Sequence, residues 1–65
     1  MSADNSPEAV HRLKQEIDRL KEVQSDALKS ATYLGMTFDQ ARAYDERRNR
    51  ITRLVQELSA LTMAL

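Results

Sequence analysis

The chain has 65 residues, ten basic and ten acidic side chains, and no cysteine, one glycine and one proline. That leaves room for a single domain at most and excludes disulfides and thiolate metal sites. Zero formal net charge argues against bulk attraction to nucleic acid or an anionic membrane surface. One glycine and one proline cannot supply the turns of a sheet protein, so the composition points to long helices.

Residues 1–5 are small and polar and are expected to be disordered. They lack the basic and then apolar stretch of a signal peptide, and no apolar run approaches the ~20 residues of a membrane span. The expectation is a cytoplasmic protein with no membrane association. Whether the natural chain continues past the apolar residues Leu61 to Leu65 is left open by the sequence.

Ser6-Pro7-Glu8 is a helix start: a hydroxyl acceptor, a proline in the first turn and an acid at the positive end of the helix dipole. Val10, Leu13, Ile17 and Leu20 then recur at spacings of three and four. The same heptad continues through Gln24, Ala27, Ala31 and Leu34, with one polar residue in the seam. Val23 and Leu28 widen the stripe beyond that of a two-stranded coiled coil, as suits a bundle.

The helix ends at Gly35, which can take the left-handed conformation of a C-terminal cap. Thr37-Phe38-Asp39-Gln40 matches a capping box and opens a second helix, with Met36 placed to pack on Ala41. A link this short favours antiparallel neighbours. The alternative is one long helix kinked at Gly35.

The second helix carries its apolar stripe at Ile51, Leu54, Val55, Leu58, Leu61 and Leu65. Extended backwards, the stripe meets Arg47 or Arg48, then Tyr44, Ala41 and Phe38. Charges alternate along the outer face, and Asp39 with Arg42, Asp45 with Arg48, and Glu46 with Arg50 stand at pairing distance. The predicted fold is therefore all-α: an antiparallel hairpin of two helices, about 7–34 and 37–65, forming one domain.

With a rise of about 1.5 Å per residue in both helices, folding back at Gly35-Met36 sets Ala31 opposite Ala41 and Leu20 opposite Ile51 or Thr52. It sets Ile17 opposite Leu54 and Val55, Leu13 opposite Leu58, and Val10 opposite Leu61. Two helices cannot enclose a core, so the seam is expected to associate with something. A symmetric homodimer forming a four-helix bundle is the simplest closed solution, with a larger assembly or another protein as alternatives. The interface would use Val10, Leu13, Ile17, Leu20, Ile51, Leu54, Val55, Leu58, Leu61 and Leu65.

The same register brings Gln24 opposite Arg47 and Arg48, with Tyr44 beside them and Tyr33 nearer the loop. A polar residue in a heptad seam ordinarily selects register and oligomeric state. The functional reading is a pocket in which arginine grips a phosphate or carboxylate and an aromatic ring stacks on it. Gln24, Tyr33, Tyr44, Arg47 and Arg48 are the candidate ligand-binding residues.

Other chemistries have less behind them. Glu8 and His11 have the Glu-x-x-His spacing of di-iron bundles, but fall on the outer face in a single copy, so no metal or cofactor is expected. Arg42, Arg47, Arg48, Arg50 and Arg53 could face RNA, but interleaved acids mark a solvated, salt-bridged surface, and nucleic acid is not expected. No nucleophile with a base, acid pair or phosphate loop supports an enzyme.

The helix–Gly-x-Thr–helix layout resembles two families of small bacterial helical hairpins. One is the RNA-binding hairpin dimers of plasmid copy control, which share the architecture alone. The other is the sporulation aspartyl-phosphatase hairpins, whose Ser-Gln-x-x-Asp stretch on the second helix is replaced here by Ala43-Tyr44-Asp45-Glu46-Arg47. Neither resemblance carries a function across. The resulting expectation is a non-catalytic, oligomerising interaction or regulatory module. A binder of an anionic small molecule or nucleotide at the oligomer interface, and an RNA-binding hairpin dimer, are the alternatives.

Overall fold

The computed structural model describes residues 7–64. The cap at Ser6, the disorder of residues 1–5 and the interface role of Leu65 lie outside the described residues. Helix α1 spans Pro7–Leu34 and helix α2 spans Phe38–Ala64, and the two pack against each other as a hairpin. At about 1.5 Å per residue each helix is roughly 40 Å long.

The turn is built as its residues dictate. Gly35 has φ +75°, and its amide donates to the Ala31 carbonyl at 2.9 Å, which closes α1 with a left-handed cap. The Gln40 amide donates to Thr37 Oγ1 at 3.1 Å, and the Thr37 amide donates to Gln40 Oε1 at 2.9 Å. This reciprocal pair satisfies two amides that the first turn of α2 would otherwise leave free. A single kinked helix is thereby replaced by two helices joined through residues 35–37.

The core is small and belongs to α1. Val10, Ile17 and Leu20 are its buried apolar side chains, and Gln24 is buried beside them. Leu13, Ala27 and Ala31 are half-buried on the same stripe. On α2 the stripe runs through Ala43, Tyr44, Arg47, Ile51, Leu54, Leu58 and Leu61, and all of these are half-buried. None of the described α2 side chains is buried.

Sequence expectations shift at the loop end, where Leu34, expected in the seam, is 87% accessible. Phe38 and Ala41 do not join the stripe; both are exposed, and Phe38 is 82% accessible. The stripe instead passes through Ala43 and Tyr44. Ala31 therefore shares its surroundings with Met36 and Ala43, whereas Ala41 lies on the outer surface with Phe38 and Arg42. The capping box fixes where α2 starts, and packing against α1 then selects which rows face inward. Away from the loop, Arg50 crosses to Glu16 of α1 at 3.4 Å and does not turn along its own helix to Glu46.

Elsewhere the outer faces are tied within each helix. Glu8 pairs with Arg12 at 3.2 Å, Glu16 with Arg19 at 2.8 Å, and Asp45 with Arg48 at 3.8 Å. Thr32, Thr52 and Thr62 each return their hydroxyl to the carbonyl four residues earlier, so these mid-helix hydroxyls are satisfied locally. Among the described residues no helix is long and apolar enough to cross a membrane.

Candidate functional site

The one polar interruption of the α1 seam meets the one arginine in the α2 seam. Gln24 is 8% accessible. Its Nε2 donates to the Tyr44 carbonyl at 2.9 Å, and its Oε1 accepts from Arg47 Nε at 2.6 Å. A buried amide is tolerable only if both its ends are bonded, and here they are. No buried side-chain nitrogen or oxygen among the described residues lacks a partner. The choice between Arg47 and Arg48 falls to Arg47: it is half-buried, whereas Arg48 points outward to Asp45.

This layer sits at one end of a half-open groove of about 350 Å³ between the loop-side halves of the helices. Val23, Ala27 and Ala31 of α1, Ala43 of α2, and Gly35 and Met36 of the connection are its apolar lining. The groove exists because these seam positions carry methyl groups, where leucine or isoleucine would fill the space. Its polar lining is Arg47, Asp26, Ser30 and Gln40.

The five candidate ligand-binding residues separate into two groups. Gln24, Tyr44 and Arg47 come together, although Tyr44 enters the hydrogen-bonded layer through its backbone carbonyl. Tyr33 is 87% accessible and Arg48 stands on the outer face, so neither is brought to the layer. Sequence reasoning passed over Asp26, Ser30 and Gln40. Asp26 and Ser30 fall outside the heptad seam and read as ordinary surface positions, and Gln40 was assigned only to the cap. The run of alanines at Ala27, Ala31 and Ala43 was the available signal, because small residues on facing stripes leave a gap.

Among the described residues there is one cross-helix ion cluster, away from the groove. Glu16 accepts from Arg19 and from Arg50. The Arg19 hydrogen bond is the main reason its carboxyl is held below the usual glutamate value; burial opposes this, and Arg50 adds to it. Arg19 is raised in turn by the same contact. Glu8 is engaged by Arg12 and His11 is exposed, so the Glu-x-x-His spacing assembles nothing on this surface. Among the described residues no three potential metal ligands cluster.

Comparison with protein-family models, curated proteins and solved structures found no match. The chemistry of the site therefore rests on its residues. An arginine held by its Nε presents its remaining N–H groups as a fork suited to an oxyanion. Arg48 and Arg50, by contrast, are engaged by acids, which removes two of the five α2 arginines from an unpaired basic face.

Proposed function

We propose that the chain is a self-associating helical module whose partner is a second copy, packed on the open side of the seam to form a four-helix bundle. It works as an interaction or assembly element, without catalysis of its own. The observation that carries this reading is the half-finished core. Among the described residues three apolar side chains are buried, all on α1, and Ile51, Leu54, Leu58 and Leu61 of the α2 stripe each keep part of their surface accessible. Leu28 and Val55, flanking the seam, remain 50% and 43% accessible. A chain of this size without disulfide or metal gains stability mainly by burying such a stripe against another chain.

Sedimentation equilibrium at micromolar concentration tests the proposal. The expected mass is that of two or more hairpins, and a fully helical monomer would overturn it. Leu58→Asp places a charge in the half-covered layer, where an unpaired ion is costly. The variant is expected to lose assembly and helicity together; normal mass and helicity in this variant would refute the register.

A further inference from the structure

The loop-side groove contains two opposite charges that are not paired with each other. Arg47 is half-buried, and its one hydrogen bond goes to the neutral amide of Gln24. Asp26 lines the same groove from α1. Every other cross-helix or local ion pair among the described residues involves different groups, at 2.8–3.8 Å, and neither Arg47 nor Asp26 takes part in one. A cation and an anion line one groove without forming an ion pair.

The geometry points to a binding site for a small amphoteric ligand, one carrying a carboxylate and an ammonium group, such as a free α-amino acid with an apolar side chain. The carboxylate would meet the terminal N–H groups of Arg47, forming charge-assisted hydrogen bonds. The ammonium would meet Asp26, with Ser30 and Gln40 as neutral hydrogen-bonding neighbours. The side chain would lie on Ala27, Ala43 and Met36. The volume, about 350 Å³, is at the lower end of the ~300–1,000 Å³ of ligand pockets, which suits a ligand as small as an amino acid. Gln24 is a positioning residue here: its bond to Nε fixes the plane of the guanidinium before a ligand arrives, which reduces the ordering cost of binding. This reading rests on the single hairpin and requires that the second copy of the proposed bundle leave the loop-side groove open.

The test is a nuclear magnetic resonance titration of the full ¹⁵N-labelled chain with leucine, acetate and isobutylamine in turn. Leucine is expected to shift the Arg47 Nε–H and the amides of Asp26, Ala27 and Ala43. Each half-ligand should bind at least about tenfold more weakly, a difference of about 1.4 kcal/mol. Asp26→Asn alters an exposed side chain outside the buried layer and leaves the packing intact. It should weaken leucine at least about tenfold, on the same scale, and not weaken acetate. Absence of shifts with leucine, acetate binding as tightly as leucine, or an Asp26→Asn variant that binds leucine normally would each overturn the assignment. Sedimentation of the same samples reads the assembly state separately, so loss of one result does not carry the other with it.

Discussion

Cutting the contact between Gln24 and Arg47 gives the most direct measure of what the polar layer contributes. The perturbation is a double-mutant cycle of Gln24→Ala, Arg47→Ala and the combined variant. The Arg47 Nε–Gln24 Oε1 bond is 2.6 Å long and its acceptor is 8% accessible. A hydrogen bond to a charged group contributes about 1.5–3 kcal/mol, and a neutral one about 1 kcal/mol. Because Arg47 is half-buried and can recover water when its partner is removed, the lower part of that range applies, and the coupling energy is expected at about 1.5 kcal/mol. Gln24→Ala should by itself cost more than the coupling, because it also removes the bond to the Tyr44 carbonyl and leaves a gap. Urea unfolding followed by circular dichroism measures each corner. Protein concentration must be held fixed, since an associating chain has a concentration-dependent stability. A coupling below about 0.5 kcal/mol, the usual scatter of independent sites, would refute the claim that this bond holds the helices in register.

Two further outcomes follow from the turn and the ion cluster. Gly35→Ala meets open space, with nothing within 4 Å of the added methyl, but the residue sits at φ +75°; the expected loss is therefore conformational alone, about 1 kcal/mol, read as a lower thermal midpoint with helicity unchanged at low temperature. For Glu16, the folded carboxyl is held below the usual glutamate value by Arg19 and Arg50. Its contribution is fully present above the unfolded value of about 4.3 and is lost as pH falls through the lowered folded value. Glu16→Gln should flatten that part of the pH–stability profile, and high salt should shrink it in the parent chain; a profile identical in both proteins would remove Glu16 from the account.

The amino-acid sequence by itself determined the elements and their boundary. Pro7 near the start of α1, the glycine at 35 and the Thr37–Gln40 pair are local devices, satisfied within a few residues, and each reads out of the chain without tertiary help. The heptad positions likewise marked Val10, Ile17, Leu20 and Gln24 as inward, because a helix's period is fixed by its own hydrogen bonds. Pairing Gln24 with Arg47 was legible to within one residue.

Which row of α2 turned inward was decided only once α2 packed on α1. Periodicity gives a stripe, but where that stripe is weakly apolar, between 38 and 48, several rows compete. Capping and packing together chose Ala43, Tyr44 and Arg47 over Phe38, Ala41 and Arg48. The groove is a consequence of that choice. It arises from what alanines on two helices fail to fill once they face each other, and an empty volume between chain segments has no residue of its own to mark it in the sequence.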